Sequence, residues 1–174
     1  AGEIFEARAL KPIIAVANSV AASAAYHIAA QADQVVVTPS GEVGSIGVFV
    51  LHGDMSGMLA QMGVKATFLQ FGENKTLGNP FEPLSERAKA ELQAKVDLYG
   101  RQFVRDVALG RNVSEKRVME DFGQGLMFGA QDAVRLGLAD RVGTLGDVLA
   151  KLGAAGPAGG RKGALGRQVQ RAAL

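Results

Sequence analysis

Apolar positions along this chain fall into short continuous runs separated by stretches of helical periodicity. Residues 11–17 (KPIIAVA) make a short apolar run around a proline and read as a buried strand. The alanine-rich stretch 18–30 follows and reads as a buried helix beginning near Ser23. Residues 34–38 (QVVVT) predict a second strand, 39–47 (PSGEVGSIG) a glycine-rich turn region, and 48–51 a third strand. A short helix over 54–62 closes at Gly63, and 64–71 (VKATFLQF) alternates as a further strand. With two glycines, two prolines and two asparagines, 72–83 (GENKTLGNPFEP) is a loop.

Ser85 is the expected N-cap of a long helix reaching about Gly110. Ala88, Leu92, Val96, Tyr99, Phe103 and Val107 step along it by three or four and give one apolar face, suited to the chain's own core or to a partner. Ser114 caps a short helix, 130–136 forms another, 140–142 is a brief strand and 147–152 a last helical turn or two. Strands alternating with helices predict an α/β fold with parallel pairing. From Gly153 the chain turns to glycine, alanine and arginine, so 153–174 reads as a flexible basic tail or linker after a body of residues 1–152.

Charge sharpens that division. Residues 1–150 carry 14 basic and 17 acidic side chains, a net of −3, whereas 151–174 carry five basic residues and no acid. A basic body of the kind that binds nucleic acid specifically is absent, and the tail could make only salt-sensitive, unspecific contact. No stretch reads as a transmembrane helix, and the first residues lack the order of a signal peptide. The chain has no cysteine, which excludes disulfides, a thiol nucleophile and cysteine–zinc sites, and its two histidines leave little for a histidine-based metal site. Neither a metal nor a cofactor is expected.

Ser23 sits where a strand hands over to a helix, among Ala21, Ala22, Ala24 and Ala25. Small neighbours let a substrate backbone approach, and free N–H groups at a helix start can hold an oxyanion. The bland alternative is a packing or capping serine. A serine nucleophile needs a base. His27 lies one turn along the same helix, whereas bases usually come from a different element, so it reads as structural, as does His52 near a strand end. Lysine is the other choice, since burial can lower an amine's pKa from ~10.4. Lys75 lies in the 72–83 loop with Phe71, Leu77 and Phe81 close in sequence, although a solvated loop lysine fits those residues equally well. The run 41–47 has glycine at every third position but is not a dinucleotide loop, because its spacing is wrong and it precedes a strand.

Taken in order, several segments resemble the signal peptide peptidase A (protease IV) family of serine–lysine peptidases, especially its phage members, the minor capsid protein C or head-maturation proteases. The segments are Lys11-Pro12, Ala21-Ala22-Ser23-Ala24-Ala25-Tyr26, Ala32-Asp33, Val43-Gly44-Ser45-Ile46-Gly47-Val48, Lys75 followed by Gly78-Asn79-Pro80, then Phe128-Gly129-Ala130-Gln131-Asp132-Ala133 and Leu136-Gly137-Leu138-Ala139-Asp140. The resemblance covers about residues 11–152 and implies a ClpP/crotonase-like spiral of βα units. It implies Ser23 as nucleophile, Lys75 as general base, Ser45 as the residue orienting the lysine amine, and the backbone of Ala24 at the oxyanion. It further implies a polypeptide substrate, a homo-oligomeric ring and phage scaffold or portal proteins as partners. The place of action would be the host cytoplasm and phage prohead, or a membrane if the chain is a bacterial signal peptide peptidase.

Two departures stand out. Ala24-Ala25 replaces the Gly-Gly that often follows the nucleophile, and the glycine-rich oxyanion loop and first strands expected upstream of Lys11 are missing. The chain is therefore expected to be the C-terminal two-thirds of a peptidase domain, poorly active unless the rest is supplied. The competing readings are a bacterial peptidase degrading signal-peptide remnants, a catalytically silent capsid assembly protein, and an acyl-CoA enzyme of the crotonase type. The last would want a carboxylate pair that the sequence does not offer.

Overall fold

A computed structural model describes residues 1–154, which divide into a unit over residues 1–144 and a second beginning at Leu145. The first opens with α1 (Gly2–Ala7), β1 (Ile14–Ala17), β2 (Val20–Ala22) and α2 (Ala24–Ala29). Next come β3 (Gln34–Val37), β4 (Glu42–Gly44), α3 (Ser56–Gln61) and the long α4 (Glu86–Arg111). It closes with α5 (Glu115–Asp121), β5 (Met127–Gly129), α6 (Ala130–Leu136) and β6 (Arg141–Val142). The second unit holds α7 (Leu145–Ala154), so the basic stretch expected to be a tail lies, past Ala154, outside the described residues. Among the described residues no helix is long and apolar enough to cross a membrane.

Among the described residues, six short strands form two three-stranded sheets, in the orders β1-β3-β6 and β2-β4-β5. Pairing is parallel throughout the first sheet and between β2 and β4, as the alternating pattern predicts. The β4–β5 pair is antiparallel, a departure from the all-parallel expectation. Val35, Val36 and Val37 of β3 are fully buried, which is why this strand reads as a continuous apolar run. The core continues through Tyr26, Val43, Val107, Val118, Phe122 and Leu138.

Two aspartates of the recognised segments fasten strand starts. The Asp33 carboxylate accepts from the Ile13 N–H at 2.9 Å and from Arg8 at 3.0 Å. Asp140 accepts from the Val35 N–H at 2.6 Å and from both arms of Arg111 at 2.9 and 2.8 Å. Burial alone would raise the Asp140 pKa, but the Arg111 bonds and the Val35 N–H outweigh it and hold the carboxyl below its usual range. A carboxyl with a depressed folded-state pKa stabilises the fold above the unfolded value, about 3.9, and loses that contribution as pH falls through the folded value. Asp140→Asn is expected to lower Tm at neutral pH and to flatten its fall below about pH 4. Thermal melts from pH 7 to pH 3 measure both.

The predicted strands at 48–51 and 64–71 do not form. The apolar run of 48–51 and the alternation of 64–71 are real, but a strand exists only with a backbone partner, and none pairs with them among the described residues. Phe49 is 86% exposed there, and Leu69 and Phe71 are almost wholly so. The predicted face of α4 is likewise divided: Phe103 and Val107 enter the core, Leu92 and Val96 are half-buried, and Tyr99 is exposed.

Candidate active site

Parallel pairing of β2 with β4 builds the site. The register aligns Ala22 with Gly44, so Ser23 and Ser45 leave adjacent strand ends side by side. The Ser23 N–H donates to the Gly44 carbonyl at 2.9 Å, and the Ser23 carbonyl accepts from the His27 N–H at 2.9 Å. Between these bonds Ser23 is held at φ 52°, ψ −122°, a backbone state that costs a non-glycine residue about 1–3 kcal/mol. The residue is exposed, and its side chain makes no capping bond to α2. The N–H of Ala24, the first residue of α2, has no acceptor among the described residues.

Ser45 is also at positive φ, 55°, and is half-buried; its N–H donates to the Leu126 carbonyl at 2.7 Å. Gly44 before it has φ +128°, and a Cβ there would lie 2.6 Å from the same carbonyl, so the turn admits only glycine. The segment leading into β5, which the sequence left without an element, thus fixes the Ser45 corner.

Ser23 and Ala24 open onto a cavity of about 330 Å³. Gly47 and Val48 form one side, Tyr99, Gln102 and Phe103 of α4 another, and His27 also lines it. A second cavity of about 560 Å³ shares Gly47 and Val48 and adds Ile46, Val96, Val104 and Val118.

His27 is bound into the crossing of α2 and α4. Its Nε2 lies 2.9 Å from an Asp106 carboxylate oxygen, and its ring centroid lies 4.7 Å from that of Phe103. The Gln31 amide donates to the His27 carbonyl at 3.1 Å and to the Asp106 carbonyl at 2.9 Å. Tyr26 is wholly buried and donates its hydroxyl to the Leu138 carbonyl at 2.9 Å, and burial pushes its pKa well up. These contacts fix the helix that follows Ser23. The sequence reading missed Asp106 and Gln31: Gln31 signalled itself only as a polar residue after an alanine run, and Asp106, beside Arg105 on a helix rich in charge, gave no signal.

Lys75 is exposed and does not line the Ser23 cavity. Its neighbours Asn74 and Leu77 lie beside Ala88, Glu91, Leu92 and Lys95 of α4. The Ser23 cavity meets α4 at Tyr99, Gln102 and Phe103, beginning four residues, about 6 Å along the helix axis, past Lys95. The structure brings Ser23, Ala24 and Ser45 together at the ends of β2 and β4, and Lys75 is not among the residues lining the Ser23 cavity.

Comparison with known proteins decides the family. The model of peptidase family S49 matches residues 6–156. The chain belongs to that family. This S49 chain is 32% identical over 152 residues to a putative protease of Methanocaldococcus jannaschii, covering 87% of the chain and 49% of the relative. It is 32% identical to the head-tail preconnector protein GP5 of Enterobacteria phage P21, over 87% of the chain and 30% of the relative. It is 30% identical to the capsid assembly protease C of Escherichia phage lambda, over 80% of the chain and 31% of the relative. The chain thus spans half or less of the length of these relatives. Among solved structures, a mutant of the 1510-N membrane-bound stomatin-specific protease superposes with a TM-score of 0.50 at 15% identity, covering 86% of this chain and 60% of the other. That likeness concerns the fold, the ClpP/crotonase-like α/β arrangement expected from the sequence.

Proposed function

We propose that this chain carries the catalytic residues of a serine endopeptidase, with Ser23 as nucleophile and Lys75 as general base. The observation that carries the reading is the strained, exposed Ser23 at the mouth of a cavity large enough for a side chain. Neutral Lys75 takes the Ser23 hydroxyl proton as Oγ attacks a peptide carbonyl. The oxyanion of the tetrahedral intermediate accepts from the Ala24 N–H. Lys75 then protonates the leaving amine, and water hydrolyses the acyl-enzyme. Ser45, beside Ser23 at the strand ends, orients the lysine amine. The two adjoining cavities give room for substrate residues along 46–48.

That Lys75 does not line the Ser23 cavity favours a homo-oligomer, in which the loop of another copy delivers the amine. Burying the open Phe71 and Phe81 flanks of the loop in that assembly would disfavour a charged amine and make it a base. Substrates are polypeptides, and the names of the phage relatives favour processing of phage head proteins in the prohead, with scaffold or portal proteins as partners. Degradation of signal-peptide remnants at a bacterial membrane is the alternative, and a silent assembly role is the non-enzymatic one. His27 earns a second reading as base because it shares the Ser23 cavity and holds a carboxylate.

The variants Lys75→Ala, His27→Ala and Ser23→Ala separate these readings in a dye-labelled casein assay on the intact protein that carries this chain. Lys75→Ala and Ser23→Ala are each expected to be inactive, and mixing the two to restore activity; His27→Ala retains cleavage if it folds. Full activity of Lys75→Ala would transfer the base role away from the lysine.

A further inference from the structure

His52 takes no part in the proposed mechanism, yet the structure gives its ring a definite task. Its Nε2 lies 3.0 Å from the backbone oxygen of Asn79. A carbonyl oxygen only accepts, so Nε2 carries a hydrogen in this contact whether the ring is neutral or charged. Three residues on, the Met55 N–H donates to the Pro80 carbonyl at 2.7 Å. Two successive carbonyls of the 72–83 loop are thereby tied to the segment 52–55.

From that anchor the loop is wound in short turns back to Lys75. The Asn79 N–H donates to the Thr76 carbonyl at 3.0 Å, and its side-chain amide donates to the same carbonyl at 2.9 Å. Its side-chain oxygen accepts from the Phe81 N–H at 2.8 Å. The Leu77 N–H donates to Asn74 and the Lys75 N–H to Gly72. His52 and residues 76–79 are half-buried, whereas Lys75 stands out from them exposed. The backbone at Lys75 is thus set by a series of turns whose far end is fixed at Asn79 and Pro80.

We propose that His52 is a positioning residue for the Lys75 loop: its Nε2–H pins the Asn79 carbonyl and so fixes where the lysine amine is presented. This rests on the reading of Lys75 as general base. Because the bond survives either charge state of the ring, the tie is a permanent fastening. Without the donor, a half-buried carbonyl loses its partner and one of the two ties to 52–55 is gone.

The test uses His52→Leu and His52→Gln in the intact protein, with dye-labelled casein as substrate and amide hydrogen exchange across 76–81. His52→Leu is expected to lower kcat on the order of 10- to 100-fold with KM unchanged, since a small displacement of a catalytic group suffices for that loss. Exchange across 76–81 should rise about five- to tenfold, the equivalent of one hydrogen bond. Glutamine places an amide donor at similar reach, so His52→Gln should restore both. Unchanged kcat in His52→Leu, or a glutamine variant no better than leucine, overturns the proposal. Lys75→Ala run in parallel separates the two claims: wild-type kcat there removes the base assignment and the catalytic half of this proposal with it. Unchanged exchange in His52→Leu overturns the structural half on its own.

Discussion

Replacing Ser23 with alanine is expected to lower kcat on the order of 10⁴-fold or more while leaving the fold intact. The size follows from the role: removing a nucleophile eliminates the covalent pathway, and the remaining groups cannot recover it. The fold should survive because the side chain makes no capping bond and the residue is exposed. The bonds that hold this position, from the Ser23 N–H to Gly44 and from the His27 N–H to the Ser23 carbonyl, are made by the backbone and persist in alanine. A matching melting temperature alongside lost casein cleavage would separate this outcome from unfolding. Retained cleavage would place the nucleophile elsewhere.

The second large effect concerns stability, at a site the chemistry never touches. Gly110 lies near the end of α4, where α2 crosses it, and a Cβ there would run into the backbone carbonyl of Ala30. Backbone cannot swing aside as the end of a side chain can, so any larger residue must push the helices apart. Separation would break the Gln31 bonds to His27 and Asp106 and the His27–Asp106 contact together. Gly110→Val is expected to destabilise the fold by about 3 kcal/mol or more, the range for severe overpacking of a core contact. Urea unfolding of the two proteins measures it through the midpoint. Since α2 follows Ser23 directly, kcat should fall as well, even at temperatures where the variant remains folded. A shift of less than about 1 kcal/mol would mean the crossing yields more easily than its contacts suggest.

Much of this architecture was legible in the sequence because local signals and burial agree there. The valine run of β3 is buried on both faces, and Ser85 and Ser114 each accept the bond of an N-cap, from Ala88 and Arg117. Ser23 was placed at a strand-to-helix change by the apolar run 11–17 and the alanine-rich stretch after it, and the structure puts it at the N-cap of α2. The failures have physical causes. The apolar run 48–51 and the alternating stretch 64–71 carry a strand's pattern, but pattern cannot supply the partner a strand requires. β4 and β5 were hidden inside glycine-rich sequence, where three-residue strands lack the length to show a period. The relation of Lys75 to Ser23 was invisible for a different reason: it depends on where a loop lies along α4, which no spacing encodes. His27 read as structural, and its bond to Asp106 accounts for that, although it also lines the Ser23 cavity.

The central claim is that Ser23 is a nucleophile activated by Lys75. Its most direct measurement is the mass of the intact protein after exposure to a fluorophosphonate, followed by peptide mapping. The account predicts a single adduct on Ser23 in the wild type, and none in Lys75→Ala at the same exposure. An adduct on another residue, or Ser23 labelling that is undiminished in Lys75→Ala, would contradict it.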